Sequence, residues 1–193
     1  MAGETNNKVK FGLSNCYYSV LNEEAGTYGT PVAMPGAVSL SLDQEGETNT
    51  FRADNIDYYT SVSNNGYSGD LELALIPDSF LTDVMGEVKE AGSGLQYELA
   101  SAMPKPFALL FQFEGDQKAT RHVLYNCKAT RPTVGSQTTD TTIEPVTETI
   151  SIVATARNMT VGGTTKPVVK AKVAYGDTAY SNFFSAVVAP STT

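Results

Sequence analysis

The chain has 193 residues, 41% of them hydrophobic, enough to bury a sizeable core in one domain with embellishments. Its 13 Lys and Arg stand against 21 Asp and Glu, a formal charge of −8 that repels phosphate and disfavours a nucleic-acid reader. Two cysteines and one histidine are too few for a disulfide scaffold or a structural zinc site, and no apolar run reaches membrane-spanning length. The polar stretch 1–10 predicts no signal peptide, so synthesis in the cytosol is expected, with Cys16 and Cys127 as half-buried thiols.

Val9, Phe11 and Leu13 alternate with Lys10 and Gly12, and residues 17–21 continue in strand-favouring side chains, which predicts a first strand region. Residues 22–35 carry Gly26, Gly29, Pro31 and Pro35 and read as a loop with one short extended piece. Val38, Leu40 and Leu42 alternate with Ser39 and Ser41, and residues 47–53 are expected to pair back on them as a hairpin. Its tip would be the acidic stretch 43–47, which by itself reads as a solvated loop.

The stretch 64–86 is the most sharply patterned. Asn65-Gly66 and Ser68-Gly69 predict a turn, after which Leu71, Leu73 and Leu75 alternate with Asp70, Glu72 and Ala74, one face core and one wet. Pro77 then opens a helix over residues 77–85 whose apolar stripe is Phe80, Leu81, Val84 and Met85, with Gly86 as its left-handed stop. So short a helix must dock on a sheet. Residues 87–105 read as a loop or frayed hairpin.

The strongest local pattern follows. Phe107, Leu109, Phe111 and Phe113 share one face and Ala108, Leu110 and Gln112 the other; after a turn at 115–118 the strand 121–129 returns, with Val123, Tyr125 and Cys127 opposite His122, Leu124 and Asn126. Residues 137–149 are dense in threonine and acid around Pro145 and read as an exposed arm. From 147 to 157, Ile150, Ile152 and Ala154 oppose Thr149, Ser151 and Thr155, as in a sheet with one covered face. Gly162-Gly163 marks a turn, residues 168–173 a short strand, and Asp177 a cap for a short C-terminal helix. That helix would carry Tyr180, Phe183 and Phe184, which need a partner surface on their own domain or on a neighbour.

Chemistry is sparse. His122, alone on a strand, reads as a packed or exposed side chain before it reads as a general base. Gly162 to Lys166 lacks the spacing of a phosphate loop, and Asp70 with Glu72 has no nucleophile near it in sequence. No catalytic, cofactor-binding or metal site is expected, and the chain reads as structural. A reading from another class is a carbohydrate-binding or adhesive β-sandwich on a virion or cell surface, for which Tyr58, Tyr59 and Tyr67 would supply exposed rings.

Taken as a set, several stretches resemble the major tail protein, the tail tube subunit, of long-tailed non-contractile bacteriophages. They are Phe11-Gly12-Leu13-Ser14-Asn15, Pro35-Gly36-Ala37-Val38-Ser39-Leu40, Tyr58-Tyr59, and Ser63-Asn64-Asn65-Gly66-Tyr67-Ser68-Gly69-Asp70-Leu71. Further along come Pro104-Lys105-Pro106-Phe107-Ala108-Leu109-Leu110-Phe111, Arg121-His122-Val123-Leu124-Tyr125-Asn126-Cys127 and Ala129-Thr130-Arg131-Pro132. The resemblance implies a mainly β (α+β) fold, a β-sandwich or partial barrel with one flanking helix, as a single domain over 1–193 with arms at about 43–50 and 133–149. It implies self-assembly into stacked hexameric rings, a virion location, and the tape measure, tail terminator and distal tail proteins as partners. Genomic DNA would pass through without specific binding, and no membrane is involved. An inner wall of about 24 strands at roughly 4.8 Å spacing has a circumference of about 115 Å, wide enough for duplex DNA. On this reading Asp70 and Glu72 are candidates to face the lumen, and Glu45, Glu47, Thr141 and Glu144 are candidates for contacts between rings.

Overall fold

The computed structural model describes residues 11–115, 118–136 and 146–190. The strands in chain order are β1 (Leu13–Asn22), β2 (Thr27–Tyr28), β3 (Val32–Ala33), β4 (Ala37–Glu45), β5 (Thr48–Ala53), β6 (Ile56–Val62) and β7 (Gly66–Leu73). After the helix come β8 (Val88–Lys89), β9 (Gln96–Tyr97), β10 (Phe107–Phe113), β11 (Arg121–Ala129), β12 (Glu148–Thr155), β13 (Arg157–Val161), β14 (Thr164–Val168) and β15 (Lys170–Val173). The main sheet is antiparallel in the order β2-β1-β10-β11-β12-β7-β4, with β3 added to β1 and β15 to β11. It curls until β4 lies against β1, but no ladder joins the two, so the barrel stays open.

The curl encloses a core of Tyr18, Leu71, Leu73, Phe107, Leu109, Ile150 and Ile152, plugged by Phe80, Val84 and Met85 from the helix. The rings of Tyr18 and Phe107 meet Phe80 edge-on at 5.1 and 5.4 Å. The helix is a turn of α-helix, Asp78–Phe80, that widens into a π-helical turn, Leu81–Met85, and stops at Gly86 with φ 79°. A π turn shifts the following side chains round the axis, which brings both Val84 and Met85 into the core. A second core lies on the outer face, where Ala108, Leu110, Val123, Tyr125 and Val173 meet Phe183 from the C-terminal segment. Covered on both sides, β10 is buried from Phe107 to Phe111, which is why it reads as an unbroken apolar run.

Several expectations are corrected. β4 does not pair with β5; it pairs with β7, and β5 pairs with β6. The acidic stretch 43–47 is therefore not a tip: Glu45 sits opposite Gly66, and Glu47 accepts the Ser63 N–H at 2.9 Å. Two strand pairs end to end make one long ribbon, and its tip is Asp54-Asn55, both with positive φ as a two-residue hairpin turn demands. Gly66 and Gly69 belong to β7 and not to a turn. A Cβ on Gly69 would lie 1.9 Å from the Ser41 carbonyl oxygen, and one on Gly66 2.0 Å from that of Ala154, so both glycines permit close strand approach.

Leu75 falls beyond the end of β7 and is exposed. On β11, a bulge between the Leu109 and Phe107 pairings turns Cys127 inward beside Leu124, leaving Val123 and Tyr125 facing out. Both thiols are fully buried and free, where half-burial was expected. The predicted C-terminal helix is instead a chain of turns. The Asp177 carboxylate accepts from the Ala174 N–H behind it, and the amides of Tyr180, Phe183 and Ser185 bond three residues back. The strand over 148–155 and the hairpin of β10 and β11 form as their alternation predicts.

Candidate assembly surfaces

Three surfaces stand out. The first is the wet face of β4, β7 and β12, on which cross-strand partners form rows: Thr149, Glu72 and Ser39, then Ser151, Asp70 and Ser41, then Val153, Ser68 and Asp43. These three strands carry no Lys or Arg; the first cation is Lys128, opposite Val153 on β11. Asp70 and Glu72 sit two residues apart, so the pleat puts both on this face. Ser39 donates to Glu72 at 2.8 Å and Thr147 at 2.5 Å, while Ser151 donates to Asp70 at 2.7 Å and Ser68 to Glu45. The Thr147 and Ser39 hydroxyls hold the Glu72 carboxyl below its usual value. With donors turned onto carboxylates, the face presents mostly acceptor oxygens.

The second surface is the hairpin of β5 and β6, exposed along its length. Phe51 lies opposite Tyr59 and Ala53 opposite Ile56, which puts an apolar strip on one side of the ribbon. Thr48 with Val62, Thr50 with Thr60 and the Arg52–Asp57 ion pair (3.0 Å) occupy the other. Phe51, Ile56, Tyr58, Tyr59 and Val62 all keep 60–70% of their surface in water. Residues 43–57 hold Asp43, Glu45, Glu47, Asp54 and Asp57 against the single cation Arg52.

The third is a groove of about 200 Å³ at one end of the open barrel, lined by Leu40, Leu42, Tyr67, Phe111, Phe113 and His122 among others. The His122 ring stacks on Phe111 at 5.2 Å, which accounts for a histidine the sequence could place only on a strand. Lys172 pairs with His122 and Lys170 with Leu124, so both lysines stand on the groove side of β15, and Lys170 caps the Tyr67 ring at 4.3 Å. Residues 158–176 contain Lys166, Lys170 and Lys172 and no carboxylate.

On the outer face, Arg121 is sandwiched by the rings of Tyr180 (3.8 Å) and Phe184 (4.5 Å) and donates to the Tyr180 carbonyl, while the Tyr125 hydroxyl donates to the Val188 carbonyl at 2.7 Å. The C-terminal aromatics thus pack on their own chain. Of the three tyrosines of a glycan platform, Tyr58 and Tyr59 are consecutive and exposed on the hairpin, whereas Tyr67 is half-buried on β7 and lines the groove with Lys170 over its ring. Thr141 and Glu144 lie outside the described residues, as does most of the arm that carries them. Among the described residues no group of three or more metal-ligating side chains converges, and no helix is long and apolar enough to cross a membrane.

No curated protein matches the chain. Among solved structures, a chain of the six-fold symmetrised anti-feeding prophage baseplate is similar over 86% of this chain and 94% of its own, at 9% identity and TM-score 0.46. A chain of the tube-terminating cap of the anti-feeding prophage is similar over 90% of this chain and 99% of its own, at 13% identity and TM-score 0.41. The match that decides the family is to phage tail tube proteins, and it runs from residue 6 to residue 192, nearly the whole sequence. An open sheet with unpaired edges and a wet face whose three strands carry no cation suit such a protein, and the chain belongs to the phage tail tube protein family.

Proposed function

We propose that this chain, as a single tube domain, is the repeating subunit of a tail tube, closing into hexameric rings that stack and conduct DNA during ejection. The observation that carries the proposal is the acceptor-rich face of β4, β7 and β12. Phosphates sliding along a wall that offers carboxylates and few free donors are repelled at short range and find nothing to grip. Asp70 and Glu72 are assigned to that lumen. The free edge of β4 is a template for pairing with a neighbour, and pairing round a ring would leave no edge exposed. Glu45 and Glu47, at the root of the projecting hairpin, and Thr141 and Glu144 on the arm are assigned to contacts between rings. The role is structural and non-enzymatic, with the tape measure, terminator and distal tail proteins as partners, after synthesis in the host cytoplasm.

Electron microscopy of the concentrated protein is the direct test: rings or tubes with a central hole are expected, and compact particles without a hole at every concentration would refute the proposal. Reversing both lumen carboxylates, Asp70→Lys with Glu72→Lys, is expected to slow DNA ejection from assembled virions. Unchanged ejection would remove these residues from the lumen.

A further inference from the structure

We propose that the apolar strip of the β5–β6 hairpin on one copy seats in the groove at the open end of the barrel on the next copy. The inference rests on the tube reading and adds to it the receiving site. The strip and the groove are unlike surfaces on one chain, and among the described residues nothing covers either: Phe51, Tyr59 and Ile56 stand in water, and the hairpin does not fold back onto its own groove. Unlike, complementary patches on one molecule join head to tail, which builds rings or filaments and not closed dimers.

Size and charge select the occupant. At about 200 Å³ the groove is below the roughly 300 Å³ at which small-molecule sites begin, and it suits one or two side chains. Its walls from Leu40, Leu42 and Phe111 are apolar, matching a phenyl or isoleucyl side chain. Its rim carries Lys170 and Lys172, with Lys166 beyond, in a segment without carboxylates. The hairpin brings Asp54 at its tip, where no cation of the hairpin answers it, because the one arginine, Arg52, is paired with Asp57. In a protein of net charge −8, where copies repel on average, this local match orients the encounter.

The test mixes two variants with one added cysteine each, Ile56→Cys and Lys170→Cys, both at exposed positions, and lets them assemble before mild oxidation. The native thiols, buried and held protonated with pKa values of about 12, stay silent. The expected result is a disulfide-linked dimer in mixed tubes and none in tubes of either variant alone. Tubes without that dimer, or a dimer from Ile56→Cys alone, would overturn the inference while leaving the tube reading intact. If wild-type protein forms no ring or tube at all, the reading falls and this inference with it. A second arm uses charge alone: Lys170→Glu with Lys172→Glu is expected to reduce tube growth at least tenfold, and adding Asp54→Lys to restore part of it. Folded variants that grow normally, or whose growth Asp54→Lys fails to raise, would count against the seat.

Discussion

Replacing Arg121 by lysine should loosen the C-terminal strap without unfolding the sheet beneath it. The guanidinium lies between the Tyr180 and Phe184 rings, donates to the Tyr180 carbonyl and is braced by Gln112, whose side-chain oxygen accepts from Nε at 3.1 Å. Lysine keeps the charge but loses the planar fork that stacks and bonds together. A cation over a ring is worth about 0.5–1 kcal/mol when exposed and about 2 when desolvated, and a hydrogen bond from a charged donor about 1.5–3. Losing most of the stack and part of the bond comes to about 2 kcal/mol, which raises the population of detached strap about 30-fold. Hydrogen exchange reads this directly. The Phe183 and Ala186 amides, bonded to Tyr180 and Asn182 within the strap, should lose about 30-fold in protection, while the Leu110 amide inside β10 keeps its own. Wild-type protection at Phe183 in the variant would show that Phe183 burial alone anchors the strap and that the arginine stack is incidental.

Phe80→Ala removes the ring that plugs the barrel between Tyr18 and Phe107 and should cost about 3–5 kcal/mol in urea unfolding, because the surrounding sheet cannot collapse into the gap. Glu72 should titrate below the ordinary carboxyl value by NMR, and Thr147→Ala should move its midpoint up toward that value. The sign follows: a depressed carboxyl stabilises the fold above its unfolded pKa, and that contribution is lost as the pH falls through the folded value. Burial pushes Cys16 and Cys127 to about 12, whereas unfolded thiols ionise near 8.5. Stability should therefore fall as the pH rises from about 8.5 toward 12, and a thiol reagent should label neither residue until urea unfolds the chain.

Where a strand has one covered face, its sequence shows it. Ile150, Ile152 and Ala154 are buried and their alternating neighbours are not, and the two faces of β10 divide between two cores as the pattern of Phe107 to Phe113 demands. Local chemistry failed where long-range pairing decided. Gly66 and Gly69 look like turn formers, but their role is set by carbonyls of Ala154 and Ser41 that arrive from distant strands. The acidic run 43–47 looked like a hairpin tip because it contains Gly46. The real tip, Asp54-Asn55, was readable in principle, since Asp and Asn are the non-glycine residues that best tolerate positive φ.

The hairpin of β5 and β6 failed for a different reason. Phe51, Tyr59 and Ile56 form an apolar strip, the signature of a strand with a covered side, yet among the described residues nothing covers it. If the proposed assembly forms, alternation encodes the environment of the assembled state, whereas burial in a single copy reports only what that copy can do alone. The mismatch between them is largest along this ribbon and smallest in β10 and β12. A protein that had evolved to remain solitary would gain solubility by placing threonine at Phe51 and Tyr59, as it does on the opposite side of the same ribbon at Thr50 and Thr60. Phe51, Tyr59 and Ile56 kept on one side of a two-stranded ribbon, with Thr50 and Thr60 on the other, are what the proposed contact with a second copy would require.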